Sequence, residues 1–324
     1  MLYHTITIGF ILFFLIACDA PRYNPLDPHN PDRQFVSLQG QVSTVSMPHQ
    51  PLAGVTIYSK EEQLFLISDA QGYFSADNIQ PLNDWLFFEK EGFQNDSLYL
   101  DWKKTLDSNL DVYLNALPQL DSLIFFSSLS NRYPDIQILE LIIQAQISDP
   151  DNDIDSVFLK NDFFQFSTML SFNTELKSFE KKHITLAELG VKSAEEIIGH
   201  PFDLIVKDSF GHSLLVQQSN IRRIIRDEVD PKSPAGGETV STLPLLRWEP
   251  VNPGYDFTYQ IEIRTDEPDP RLVWQKEGLP PGSSSAQVDI ALATTPINSY
   301  IWAVWIIDNF GNRARSKYKS FQVE

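Results

Sequence analysis

Tyr300-Ile301-Trp302-Ala303-Val304-Trp305-Ile306-Ile307-Asp308 is the strongest strand signal in the chain, built almost wholly of aromatic and β-branched residues. It runs on into Asn309-Phe310-Gly311-Asn312. The same ending occurs earlier as Ile205-Val206-Lys207-Asp208-Ser209-Phe210-Gly211-His212. Each reads as a strand, then Asp-x-Phe-Gly, then a final strand. The physical reading is a hairpin in which Asp starts the turn through an Asx-type bond and Gly takes the left-handed position. Phe is expected to cover the end of a sandwich. Two such endings predict β modules strung along the chain like beads.

Working outward, the segment 229–324 opens on Pro234-Ala235-Gly236-Gly237 and continues with Pro244-Leu245-Leu246-Arg247-Trp248 and the strictly alternating Phe257-Thr258-Tyr259-Gln260-Ile261-Glu262-Ile263. Its phrases S-P-x-x-G, L-x-W, Y-x-I-E-I and Y-x-W-x-V-W resemble fibronectin type III domains. That resemblance implies Trp248 as the core tryptophan of an early strand, with Tyr300 or Trp302 as its partner. Segment 118–228 carries apolar β runs at Leu120–Phe126 and Ile136–Ile147, then Asp149-Pro150-Asp151-Asn152-Asp153-Ile154-Asp155 before another strand. It is similar to bacterial Ig-like domains. Residues 183–199 break the β pattern, and Thr185 and Ser193 each precede a glutamate by three positions, as in a capping box. A short helical insertion on the sandwich is predicted there. Segment 35–117 reads G-x-V, P-L-x-G-V-x-I, S-D-x-x-G-x-F, then the aromatic strand Trp85–Glu89 and K-x-G-F. This order resembles the carboxypeptidase regulatory-like family, which implies a transthyretin-like sandwich and an accessory role without peptidase activity. The expected fold class is all-β: three tandem β-sandwich modules, transthyretin-like, Ig-like and fibronectin type III-like.

The first eighteen residues are of another kind. Ile6–Ala17 is an uncharged apolar run of about twelve residues, short of the twenty or so that span a bilayer but right for the h-region of a secretory signal. It ends Leu15-Ile16-Ala17-Cys18, which resembles the lipobox of bacterial lipoproteins. The resemblance implies cleavage after residue 17 and diacylglyceryl modification of Cys18, the only cysteine in the chain. Several acyl chains make a stable anchor where one is marginal. The n-region departs from the usual pattern in having no Lys or Arg. Residues 18–34, with Pro21, Pro25, Pro28 and Pro31 among Asn and Asp, form an extended tether.

Charge narrows the partners. Across 324 residues, Lys+Arg is 25 against Asp+Glu 43, a formal net charge of −18. Such a surface excludes nucleic acid and polybasic attachment to anionic lipid. A lone cysteine excludes a disulfide framework and a Cys-rich zinc site. Neither H-E-x-x-H, nor G-x-S-x-G, nor a Gly-rich phosphate loop occurs.

Two groups of candidate site residues follow. Asp149, Asp151, Asp153 and Asp155 alternate through a turn and could converge on calcium, which takes six to eight oxygens, although the Gly and Glu of an EF-hand are missing. Asp266, Glu267 and Asp269 make a second acidic set. Among tryptophans, Trp85, Trp102, Trp274 and Trp305 are candidates for exposed aromatics, but Trp85, like Trp248 and Trp302, sits in an alternating run and reads as core. Trp102 and Trp274 have polar neighbours and are the candidates for stacking on a sugar or filling a partner's pocket. The expectation is a non-enzymatic cell-envelope lipoprotein, lipid-anchored to a bacterial membrane (the outer membrane favoured), that binds a protein or glycan. The alternatives are an accessory subunit of an envelope uptake or secretion complex and, last, a hydrolase whose site lies in the second module around its helical insertion; His183, His200 and His212 lie within that module, and no catalytic residue is assigned.

Overall fold

The computed structural model describes residues 35–61, 64–102 and 107–324; the signal, Cys18 and the tether lie outside them. The protein is all-β, as the sequence patterns predict, and its contacts divide it into two compact units, Met1–Leu117 with Pro150–Asn152, and Pro118–Asp149 with Asp153–Glu324.

The first unit has strands β1 (Val36–Thr44), β2 (Thr56–Ser59), β3 (Phe65–Ile67), β4 (Tyr73–Ile79), β5 (Asp84–Glu89), β6 (Asp96–Leu100) and β7 (Asp107–Leu114). They form two sheets, β4-β1-β7 and β3-β2-β5-β6. Alternation decides what lies between them: Leu38 and Val42 of β1, Ile57 of β2, Phe74 of β4, and Leu86 and Phe88 of β5 are buried in one cluster. The turn at Ser68–Gly72 forms as its residues suggest. Asp69 Oδ1 accepts the amides of Gln71 (2.9 Å) and Tyr73 (2.8 Å). Gly72 has φ +77°, and a Cβ there would lie 2.4 Å from the Val42 carbonyl oxygen, so no other residue fits. The turn closes no hairpin, because β3 pairs with β2 and β4 with β1. It carries the chain from one sheet to the other.

The second unit begins with β8 (Gln119–Arg132), β9 (Ile136–Ser148), β10 (Ile154–Asn161), β11 (Phe166–Met169), β12 (Ser171–Asn173), β13 (Ser178–Thr185), β14 (Pro201–Asp208) and β15 (Ser213–Asn220). It continues with β16 (Asp230–Ser233), β17 (Glu238–Val240), β18 (Leu245–Glu249), β19 (Phe257–Thr265), β20 (Leu272–Leu279), β21 (Ser285–Gln287), β22 (Ser299–Asp308), β23 (Arg313–Arg315) and β24 (Lys319–Val323). Two small sheets, β11-β10-β14-β15 and β16-β18-β21, face one ten-stranded sheet whose path is β12-β13-β9-β8-β23-β22-β19-β20, with β24 and β17 joined through β22. The link is a parallel pairing of β23 with β8, Arg313 opposite Ser128 through Arg315 opposite Ser130. Buried residues from Leu129 to Val323 therefore belong to one cluster.

Three local expectations change. The break at 183–199 contains no α-helix but one 3₁₀ turn, Ala194–Ile197. Both capping contacts form: the Thr185 amide donates to Glu188 Oε2 (2.8 Å) while the Glu188 amide donates to Thr185 Oγ1 (3.2 Å), and the Ser193 amide donates to Glu196 Oε1 (2.9 Å). Each cap is followed within a few residues by a glycine at positive φ, Gly190 and Gly199, which ends the turn before a helix can propagate. Trp248 is buried, but its ring partner is Tyr259, at 5.6 Å and 67°, while Tyr300 stacks on Phe321 and Trp302 donates its indole N–H to the Pro234 carbonyl (2.8 Å). Phe210 and Phe310 project into solvent rather than covering a sandwich end.

The paired Asp-x-Phe-Gly turns do form. Asp208 Oδ1 accepts the amides of Phe210 (2.9 Å) and His212 (2.8 Å); Asp308 Oδ1 accepts those of Phe310 (2.9 Å) and Asn312 (3.0 Å). Burial pushes the Asp208 carboxyl up, but bonds from the His212 ring and amide and from the Phe210 amide outweigh it and hold the group below its ordinary value of 3.8. A carboxylate depressed on folding adds stability that is complete above the unfolded value and is lost as pH falls through the folded one. The second unit is therefore expected to weaken as pH drops below about 4, and Asp208→Asn to remove part of that acid dependence. Urea midpoints measured against pH for both proteins check this.

Candidate functional site

The outward face of β3-β2-β5-β6 carries a cluster of exposed rings. Alternation turns Ile57, Leu86, Phe88 and Leu100 inward, which sends Thr56, Tyr58, Trp85, Phe87, Ser97 and Tyr99 outward. Register then aligns them. Phe65, Tyr58, Phe87 and Ser97 stand opposite one another across four strands, Trp85 stands opposite Tyr99, and Ile67, Thr56 and Glu89 form the next row. Tyr58 and Phe87 stack at 5.2 Å and 20°; Trp85 and Tyr99 meet at 5.4 Å and 59°. Phe65 is 65% exposed, Tyr99 49% and Trp85 48%.

Polar groups interleave with these rings. The Tyr58 hydroxyl donates to Glu89 Oε1 (2.7 Å), and that bond to a carboxylate raises the phenol above its ordinary value. Lys60 Nζ sits 5.3 Å from the Phe87 ring centre. Burial raises the Asp84 carboxyl, but bonds from the Ser59 hydroxyl and from the amides of Glu61 and Trp85 outweigh it and hold the group low. Those bonds fix the start of β5 and so the place of Trp85.

This corrects the reading of the tryptophans. Trp102 is 3% exposed and packs in the core of the first unit, with its amide bonded to Asn83 Oδ1 at 2.9 Å. Trp274 is 6% exposed, and its indole N–H donates to Asp289 Oδ1 at 2.8 Å. Neither can stack on a ligand. Trp85, expected in the core, is on the surface. The run Trp85-Leu86-Phe87-Phe88 is apolar at every position, so its alternation has no readable phase; only pairing with β2 and β6 supplies one. One signal was available in Val55-Thr56-Ile57-Tyr58, where aliphatic and polar residues do alternate and Tyr58 falls on the polar face.

In the acidic turn, Asp149, Asp151 and Asp153 bring carboxylate oxygens within 4.8 Å of one another, and Asp155 stands outside that group, bonded to the Ser156 hydroxyl at 3.0 Å. Oxygens bound to one calcium at 2.3–2.6 Å are at most about 5 Å apart, so the spacing suits a hard cation. The same groups also hold the turn without one: Asp149 Oδ2 accepts the Asp153 amide (2.9 Å) and Asp151 Oδ2 the Ala116 amide (2.9 Å). Calorimetric titration of the full chain with millimolar Ca²⁺ separates the two roles. In the second acidic set, Asp266 accepts from the Ser299 hydroxyl (3.1 Å) and Glu267 pairs with Arg271 (3.1 Å).

The three histidines of the second unit make separate contacts. His183 Nδ1 meets Glu140 Oε2 at 2.8 Å, His212 Nδ1 meets Asp208 Oδ2 at 2.8 Å, and His200 stacks on Phe163 at 4.2 Å.

No family model matches the chain, and no curated protein matches it. Among solved structures, it is similar to the FN1–FN3 domains of chicken CNTN1, at 11% identity and TM-score 0.31, over 83% of this chain and 90% of that one. It is also similar to fibronectin(III)-like modules of CbhA from Clostridium thermocellum, at 13% identity and TM-score 0.28, over 64% of this chain and 93% of that one. A third is the major pilin subunit BcpA of Bacillus cereus, at 9% identity and TM-score 0.26, over 86% of this chain and 91% of that one. Likenesses this low carry no argument about function.

Proposed function

We propose that the chain is a bacterial cell-envelope lipoprotein, held to the membrane (the outer membrane favoured) through Cys18, that acts without catalysis as a binding or scaffold protein. Its partner docks on the aromatic face of β3-β2-β5-β6. The single observation that carries the binding reading is that face itself: five rings, Phe65, Tyr58, Phe87, Trp85 and Tyr99, aligned by register on the outside of one sheet. At 150–250 Å² for a whole aromatic side chain, the open parts of Phe65, Trp85 and Tyr99 amount to about 350 Å². Covering it would gain about 8 kcal/mol before the costs of association are subtracted. The lipid anchor is supported by Leu15-Ile16-Ala17-Cys18 and by the Pro-rich stretch that follows it. Likewise, the carboxypeptidase regulatory-like reading of the first module is supported by its motif order and by the two-sheet arrangement of its seven strands.

Crosslinked pull-down from intact envelopes tests both halves. Wild type is expected to fractionate with membrane and capture its partner. Cys18→Ser should be released from the membrane; if it stays as tightly bound as wild type, the anchor is not the cysteine. Trp85→Ala should remain membrane-bound and lose capture; unchanged capture would place the binding surface elsewhere.

A further inference from the structure

The other sheet of the first unit has an outward face of different chemistry. In β4-β1-β7, burial of Leu38, Val42, Phe74 and Val112 turns Gln39, Ser75 and Asn109 to solvent. Register puts these three on one line across the sheet: Gln39 is opposite Ser75 on one side and opposite Asn109 on the other. On the next line Gln41 stands between Tyr73 and Asp111. Gln39, Ser75, Asn109 and Tyr73, with Ile67 and Asp69 as a wall, line a pocket of about 640 Å³. That is within the range of small-ligand sites, about 300–1,000 Å³.

The composition of this pocket selects its ligand. Two carboxamides and a hydroxyl offer uncharged donors and acceptors on a line, and among the described residues none of the three side chains has a hydrogen-bond partner. Among the described residues no Lys or Arg lines the pocket and Asp69 is its one charge, so phosphate, carboxylate and sulfate ligands meet repulsion without compensation from them. Among the described residues, apolar side chains in the lining are Ile67, buried Phe74 and the Tyr73 ring, which stands 56% exposed. That is one aromatic platform, too little for a ligand held by apolar burial. A molecule dense in neutral hydroxyls with an apolar C–H face fits all three features: vicinal hydroxyls pair with carboxamides, and the C–H face lies on Tyr73. We infer that this pocket is a binding site for a neutral oligosaccharide. The site is built on β4-β1-β7, with Ile67 of β3 its one described lining residue from the aromatic sheet, and it does not depend on the role of the rings there.

The test uses the full chain with cellohexaose, xylohexaose, mannohexaose and maltohexaose as probes in titration calorimetry, and polygalacturonate as the anionic comparator. At least one neutral probe is expected to bind, and polygalacturonate to bind weakly or not at all. Gln39→Ala and Asn109→Ala should each weaken the neutral probe about five- to tenfold, the effect of losing a neutral hydrogen bond. Tyr73→Ala should weaken it about tenfold. Ser167→Ala, exposed on β11 of the second unit, should leave binding unchanged. Circular dichroism melts confirm that each variant folds. Absence of binding by all four neutral probes at millimolar concentration overturns the inference, as does binding that survives Gln39→Ala and Asn109→Ala together. Preference for polygalacturonate overturns it too. Envelope capture that persists while all sugar binding is absent overturns this inference and leaves the aromatic face standing.

Discussion

Asn312→Ala is expected to lower the stability of the second unit by about 3 kcal/mol, because it strands two buried groups at once. Asn312 is buried where β23 leaves its turn. Its Oδ1 accepts the Ser127 amide (3.0 Å) and the Ser127 hydroxyl (3.1 Å), and its Nδ2 donates to Asp308 Oδ2 (3.1 Å). Ser127 belongs to β8, so this one carboxamide stitches the parallel seam on which the ten-stranded sheet depends. Without it a buried amide loses its acceptor and a buried carboxylate loses a donor. Domains have only about 5–15 kcal/mol in total, so the loss corresponds to a fall of about 6–12 °C in Tm for a unit of this size. The matched control is His212→Ala. His212 occupies the same position in the first turn, but its side chain is 54% exposed and, among the described residues, bonds to Asp208 of its own turn. A cost below about 1 kcal/mol is expected there. Urea unfolding followed by tryptophan fluorescence measures both. Equal costs would mean that the seam contributes nothing beyond an exposed turn.

Trp85→Ala combined with Tyr99→Ala is expected to weaken envelope capture by about a hundredfold while leaving the fold intact. Truncating an interface aromatic at a hot spot costs about 2 kcal/mol or more, and a factor of ten is about 1.4 kcal/mol. Two adjacent rings in contact couple, so the sum falls short of additive. Stability should change little, since both side chains already face water; the loss is the cross-strand pair itself, about 0.2–1 kcal/mol. Capture measured at matched membrane loading, beside thermal melts of the same preparations, separates the two effects. Capture equal to wild type with normal folding would show that the partner docks elsewhere.

How much of this was legible in the residues varies by element. Tyr300–Asp308 and Phe257–Ile263 announce themselves as strands and pair with each other in the structure. The Asp-x-Phe-Gly turns were readable down to the aspartate bonds, because a side chain that caps its own turn acts over four residues. The capping boxes at Thr185 and Ser193 were readable as well, but not the length of what they cap. The tryptophans mislead for a different reason. Polar neighbours suggested that Trp102 and Trp274 lie outside, yet both are buried among residues distant in sequence. Trp85 sits in an apolar run and is exposed, since an uninterrupted run fits either face of a strand equally well.

By itself, then, the sequence determined the β class, the place of the turns and the acidity of the surface, all of which follow from residues a few positions apart. Tertiary structure alone decided which face of β5 meets water, that β23 lies beside β8, and that Gln39, Ser75 and Asn109 fall on one line. Those depend on strand register, which sets the partners of residues far apart in the chain. A slip of one residue there would reverse every side chain from core to surface.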